Sequence, residues 1–300
     1  MGIVDGKAGV VTGAGRGIGR GHCLGLAKEG ASVIVNDVDG AEAQKVVDEI
    51  KAMGGKAVAS TADVSSRKGA EELVDLCVKS FGKIDYMVAN AGILRDRAFL
   101  NMTDDEWLDV LRVHGFGTFL CGQAAARRMR EQGTGGAIVN TTSGAHMGNF
   151  GQSNYAAAKG AIASLTYTMA IELARYGIRV NAISPSGSTR MSATFKGADG
   201  KITQGPFVDP GLNAPVVAFL ISDEGNYVTG QVIGTGGERL FLMSQPKYYF
   251  GMLKPGGWSV ADVRQHFKTV IGNKLENFGL AKQPYAYYGG VKPPQAEKKS

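Results

Sequence analysis

The stretch Ala8-Gly9-Val10-Val11-Thr12-Gly13-Ala14-Gly15-Arg16-Gly17-Ile18-Gly19 decides the fold. An apolar run of buried-strand type ends at Thr12, and a glycine-rich turn opens a helix that carries Leu24, Leu26 and Ala27 before Gly30. Glycines permit the turn and let backbone N–H groups approach an anion at the helix N-terminus, where the dipole favours negative charge. The spacing is G-x-x-x-G-x-G; the G-x-G-x-x-G of many dinucleotide-binding turns fits nowhere in residues 13–24.

Outward from this turn, strand-like and helix-like segments alternate. Strands are expected at 8–12, 31–35, 56–60, 84–90, 137–142, 179–183 and 230–236, and helices at 41–53, 67–80, 104–130 and 153–176. That alternation implies βαβ units: an α/β, doubly wound, Rossmann-like parallel sheet over residues 1–238. After Gly237 the texture changes. Residues 239–300 hold ten of the 24 aromatics and one clear helix starting at Ser259, with Asp262 as a capping-box partner. They are read as a C-terminal appendage with a disordered end at 292–300.

Glycine, 44 of 300 residues, is about twice its usual ~7% share. The net charge of +6 is uneven: residues 239–300 carry ten Lys/Arg against three acids, so the remainder is at −1. A neutral body argues against a nucleic-acid partner. The basic tail is either a solvated packing arm or an attractor for a polyanionic ligand through Lys247, Lys254, Arg264 and Lys268. Cys23, Cys77 and Cys121 make neither a disulfide framework nor a C-x-x-C site, so no metal is expected and a reducing compartment is. With no apolar run near ~18 residues and no leader-like start, no membrane partner is expected and the cytoplasm is the simplest location.

Two constellations carry chemistry. Asp37 closes the second strand, 18 residues after Gly19. A carboxylate there accepts both hydroxyls of an adenosine ribose and repels a 2′-phosphate, favouring NAD over NADP; Arg16, in the phosphate loop, argues the other way. Tyr155-Ala156-Ala157-Ala158-Lys159 puts a phenol and an ammonium on one helical face, where the cation stabilises the phenolate and lowers its pKa. By itself that spacing is common on helix surfaces. Here it follows a nucleotide loop, Asn90-Ala91-Gly92 and a hydroxyl cluster, Thr141-Thr142-Ser143.

With these motifs in order, and with Asp63 before Val64 and Pro185-Ser186-Gly187 after a strand, residues 4–238 resemble the short-chain dehydrogenase/reductase family. The resemblance implies that Tyr155 is the general acid/base, Lys159 holds the nicotinamide ribose and tunes Tyr155, and Ser143 hydrogen-bonds the substrate oxygen. It sets Gly13, Arg16, Gly17, Ile18, Gly19, Asp37, Asp63, Val64, Asn90, Ala91, Gly92, Tyr155, Lys159, Pro185, Gly187 and Ser188 along the cofactor, with Asp63 at the adenine. Counting thirteen residues back from Tyr155 selects Thr142 for the serine role. Aligning the strand Ile138–Ser143 selects Ser143, which is favoured because strand register constrains geometry more than loop length. The family's Asn in Val-Asn-x-x-Gly-Thr is His114 here, able to hold a proton-relay water or to serve as a satisfied core residue.

Asn90–Arg97, Arg112–His114, Gly148–Tyr155 and Gly187–Met191 are similar to the (3R)-hydroxyacyl-CoA dehydrogenase unit of multifunctional β-oxidation enzymes, and to bacterial relatives acting on steroid side-chain CoA thioesters. That implies an acyl-CoA thioester substrate, and the family implies a homodimer or homotetramer formed through the helices at 104–130 and 153–176. A dehydrogenase of free hydroxysteroids or other secondary alcohols would share every catalytic residue. A non-catalytic binding protein would leave the Ser-Tyr-Lys set idle.

Overall fold

The computed structural model describes residues 2–189, 206–276 and 279–280. Among them eight strands form one sheet: β1 (Ala8–Thr12), β2 (Ser32–Asn36), β3 (Lys56–Ser60), β4 (Tyr86–Ala89), β5 (Gly136–Thr141), β6 (Ile178–Pro185), β7 (Val232–Gly236) and β8 (Arg239–Met243). Their order is β3-β2-β1-β4-β5-β6-β7-β8, parallel through β7. The helices are α1 (Gly17–Lys28), α2 (Gly40–Ala52), α3 (Arg67–Phe81), α4 (Asp104–Leu111), α5 (Gly117–Gln132), α6 (Ser153–Leu173), α7 (Ala214–Ile221) and α8 (Val260–Val270).

Both sheet faces are covered, and alternation along each strand serves both. Val11, Val33, Val35, Val88 and Val139 pack with Leu26, Ile50 and Leu220 of α1, α2 and α7. Val10, Ile34, Met87 and Ile138 pack on the other side with Leu73, Leu120 and Met129 of α3 and α5. The chain winds from β1 to β3 in one direction, then crosses back to lay β4 on the free side of β1. This reversal opens a crevice at the C-terminal ends of β1 and β4, where α/β sheets bind ligands.

Three details depart from the sequence reading. The helix expected over 104–130 is broken by a π-helical turn, Arg112–Phe116, between α4 and α5. The sheet is not wholly parallel: Gly236 and Gly237, both at positive φ, turn the chain through a tight hairpin into antiparallel β8. The first compact unit therefore runs to Gln245 rather than ending at 238, and a second unit begins at Pro246. In the second unit Ser259 and Asp262 cap α8 reciprocally as expected, and Lys254 is ion-paired with Asp262 rather than free. Residues 292–300, together with Arg190 and Met191, lie outside the described residues. Among those described, no helix is long and apolar enough to cross a membrane, and no group of three or more His, Cys, Asp or Glu is arranged to hold a metal ion.

α1 also buries a histidine that the apolar pattern does not single out. His22 is fully buried, and neither ring nitrogen has a hydrogen-bond partner among the described residues. Burial pushes its pKa down to about 4. The unfolded chain binds this proton below pH ~6.5 and the folded chain does not until about pH 4, so stability falls as pH drops through that window. His22→Leu is expected to remove ~2 kcal/mol of the loss between about pH 7.5 and pH 5. Thermal melts in which wild type and variant decline in parallel would show that His22 contributes none of it.

Candidate active site

The phosphate-binding end forms where β1 gives way to α1. No side chain caps the N-terminus of α1 and no acid sits in its first turn, so its N–H groups and positive dipole end are left for a ligand. A Cβ at Gly19 would collide with the Gly13 carbonyl oxygen and lie 2.7 Å from Asn90 Nδ2, so only glycine lets the helix close on the loop. Thr12 Oγ1 accepts the N–H groups of Asn90 and Ala91, both at 3.0 Å. Asn90 Nδ2 donates back to the carbonyls of Thr12 (3.0 Å) and Gly13 (3.1 Å). The Asn90 amide is thus spent on shaping the loop rather than left for a ligand.

At the adenosine end, Asp37 Oδ2 accepts the Gly15 N–H at 2.9 Å. Arg16 pairs with Asp39 (2.6 Å) and Glu42 (3.1 Å), a pairing the sequence reading did not foresee. Asp63 Oδ1 accepts the N–H and hydroxyl of Ser65 (2.8 and 2.7 Å), one residue ahead of Ser66, the N-cap of α3. The Val64 side chain belongs to the core packed against α3. A Cβ at Gly187 would meet Ile18 at 3.4 Å, so the segment after Pro185 runs against the glycine turn. Ser188 exchanges two bonds with Val208 (2.7 and 2.9 Å).

The reacting corner is built from the end of β5 and the first turns of α6. Ser143 Oγ accepts the Ala145 N–H at 3.2 Å and lies close enough to Tyr155 to favour its ionised form, whereas the buried Thr142 hydroxyl donates to the Lys159 carbonyl at 2.7 Å. Lys159 Nζ donates to the Thr141 carbonyl at 2.6 Å and lies 5.5 Å from the Tyr155 ring centroid. Burial lowers Lys159 to about 7. Tyr155 is raised above its ordinary value: burial outweighs Ser143, which pulls it down, and Asp96 adds to the rise. Burial thus raises Tyr155 where the sequence reading expects Lys159 to lower it. Burial penalises the charged forms of phenol and amine alike.

His114 sits in the π-helical turn, edge-on to Tyr155 at 5.2 Å between ring centroids. Its Nε2 lies 2.8 Å from the Ile93 carbonyl and 3.0 Å from the Ile93 N–H, serving one or the other according to tautomer. Burial takes its pKa down to about 3, with Lys159 adding to the drop. His114 Nδ1 is buried with no partner among the described residues. Gly92 makes room for this ring, since a Cβ there would overlap the imidazole.

The resemblance leaves Arg95, Asp96, Arg97, Gly151, Gln152 and Asn154 without individual roles, and the structure gives each a hydrogen-bonding partner. Gln152 Nε2 donates to Asp96 (2.9 Å), Arg97 N–H to the Gly151 carbonyl (2.8 Å), and buried Asn154 Nδ2 to the carbonyls of Arg95 and Glu106 (both 2.9 Å). These bonds strap the loop after β4 to the residues just ahead of Tyr155. Burial holds the Asp96 carboxyl above its ordinary value.

A model of short chain dehydrogenases matches residues 7–198, and the chain belongs to that family of nicotinamide-dependent oxidoreductases. It is 43% identical to hydroxyacyl-CoA dehydrogenase ChsB1 of Mycobacterium tuberculosis, over 81% of each chain. It is 41% identical to peroxisomal multifunctional enzyme type 2 of Drosophila melanogaster, over 75% of this chain and 38% of that longer protein. A crystal structure of a short chain dehydrogenase from Mycobacterium avium superposes with a TM-score of 0.80 at 38% identity, over 90% of this chain and 96% of the other.

The donor set fits a nicotinamide dinucleotide: an uncapped helix end for the pyrophosphate, a carboxylate beyond β2 for a ribose, and a buried lysine beside the tyrosine. If Gly92 is glycine because of His114, Gly92→Ala should cost ~2 kcal/mol or more of stability. Adding His114→Asn, which shortens the side chain, should recover part of that loss. A thermal-melt cycle with strictly additive effects would separate the two residues.

Proposed function

We propose that this oxidoreductase transfers hydride reversibly between a 3-hydroxyacyl-CoA thioester and NAD. The observation that carries the chemistry is the buried Lys159 amine 5.5 Å from the Tyr155 ring centroid, with Ser143 beside the same phenol. Support for the substrate class is the likeness to the hydroxyacyl-CoA dehydrogenase over most of both chains, and for NAD it is Asp37 beyond β2.

When bound, oxidised nicotinamide supplies the hydride acceptor and a positive charge beside the tyrosine. Gly13, Gly17, Ile18 and Gly19 would hold the pyrophosphate, Asp37 the adenosine ribose, Asp63 the adenine, and Lys159 the nicotinamide ribose. Ala91, Gly92, Pro185, Gly187 and Ser188 would line the same crevice. In alcohol oxidation Tyr155, as phenolate, takes the substrate's hydroxyl proton, and Ser143 steadies the oxygen as it gains carbonyl character. Lys159 stabilises the phenolate, and His114 Nδ1 is the polar atom left to receive a relay water. Because burial holds Tyr155 above its ordinary value, oxidation should speed up as pH rises above neutral.

Association as a homodimer or homotetramer, supported by the exposed Leu108, Phe116 and Ile171 on or beside α4, α5 and α6, is part of the same reading. So is a cytoplasmic setting, with which the buried free thiols of Cys23, Cys77 and Cys121 are compatible. A monomeric mass by light scattering at micromolar concentration would count against the association.

NADH absorbance should report turnover with 3-hydroxyacyl-CoA thioesters and little with free hydroxysteroids; the reverse preference would overturn the substrate assignment. Tyr155→Phe should lower kcat at least ~100-fold. Ser143→Ala should approach that loss, while Thr142→Val should act mainly on stability. Full catalytic loss with the Thr142 change alone would move the serine role there.

A further inference from the structure

Three carboxylates gather round one guanidinium at the adenosine end of the crevice. Arg16 closes the glycine turn and directs Nη2 to Asp39 Oδ2 (2.6 Å) and Nε to Glu42 Oε2 (3.1 Å). Asp37 stands beside them, with Oδ2 on the Gly15 N–H (2.9 Å) and Oδ1 on the Asp39 N–H (3.0 Å). Glu42, its side chain only 19% exposed, takes Lys45 on its other oxygen at 2.5 Å. The bond to Arg16 holds Asp39 below the usual carboxylate range, and Asp39, Glu42 and Asp37 together raise Arg16.

An arginine beside the ribose-binding carboxylate has the planar fork that phosphate oxygens match best. Here two edges of that fork already carry carboxylates. We infer that Asp39 and Glu42 form a clamp that withholds Arg16 from a 2′-phosphate, making them, with Asp37, determinants of dinucleotide choice. Asp37 acts directly, by charge against the phosphate; Asp39 and Glu42 act through Arg16 and are positioning residues. Asp39 is also the N-cap of α2, its Oδ1 accepting the Glu42 N–H at 3.3 Å, which leaves Oδ2 for Arg16. The contact that starts α2 thus sets where the arginine points.

The inference rests on the NAD reading above, and the test separates the two. Dissociation constants of NAD+ and NADP+ are measured by calorimetry without substrate for wild type, Asp37→Ser, Asp39→Asn/Glu42→Gln and the triple variant, each with and without Arg16→Gln. Asn keeps the helix cap while removing the charge, so Asp39→Asn should stay folded. Should Glu42→Gln fail to fold, Asp39→Asn alone carries the same comparison. Asp37→Ser by itself should strengthen NADP+ binding only a few-fold. Adding the clamp changes should strengthen it about tenfold to a hundredfold more, an increment that high salt weakens and Arg16→Gln abolishes. The clamp is overturned if Asp37→Ser alone reaches the affinity of the triple variant, or if the increment survives Arg16→Gln. A wild type that prefers NADP+ would defeat the NAD reading and the clamp together. One that prefers NAD+, with NADP+ affinity indifferent to the clamp changes, would defeat the clamp alone.

Discussion

The Thr12 hydroxyl is the smallest group on which the crevice depends. It receives two successive N–H groups from the end of β4, and Asn90 returns its amide to the carbonyls of Thr12 and Gly13. Two strands that diverge in topology are thereby tied at their C-terminal ends, where each backbone group would otherwise need another partner. The tie places Gly92 under His114 and the glycine turn against the start of α1. A hydrogen-bonded joint two residues wide thus sets the distance between the phosphate-binding end and the reacting corner.

The two ends of the crevice differ in their electrostatics. At the reacting corner Lys159 and His114 are buried and Tyr155 is partly buried, and each is biased toward its neutral form. A charge that develops there is poorly screened, so the Ser143 hydroxyl and the Lys159 amine act with more force than they would at a surface. The adenosine end is the opposite: Arg16, Asp39 and Glu42 keep their charges, partly exposed, and work through complementarity of sign. One end is suited to moving a proton and the other to choosing between ligands that differ by one phosphate.

The loop after β4 and the turn before α6 are bonded to each other beside Tyr155. Buried Asn154 and Gln152 knit them together, and the Arg97–Glu106 pair fastens the loop to the start of α4, whose capping box includes the same Glu106. Tyr155 is therefore positioned by the amides immediately before it as much as by its own helix. Asp96, bonded to Gln152 in this strap, is the one whose charge reaches the tyrosine.

The sequence by itself determined what depends on neighbours along the chain. Short apolar runs alternating with helical segments, the glycine turn with Asp37 at its later distance, and the four-residue step from Tyr155 to Lys159 are local patterns. Each has a direct steric or electrostatic meaning, so the doubly wound sheet was legible. Tertiary structure alone decided matters that depend on residues distant in sequence or on removal from water. It gave the Thr142 hydroxyl to the Lys159 carbonyl, turned Asn90 onto the glycine loop, and closed Asp39 and Glu42 on Arg16. It also added β8 across a two-glycine hairpin, and widened one turn of an apparently continuous helix to seat His114 over Gly92. Desolvation reversed the expected shift of Tyr155, because a neighbouring ammonium lowers a phenol only while it holds its own charge, and burial works against both.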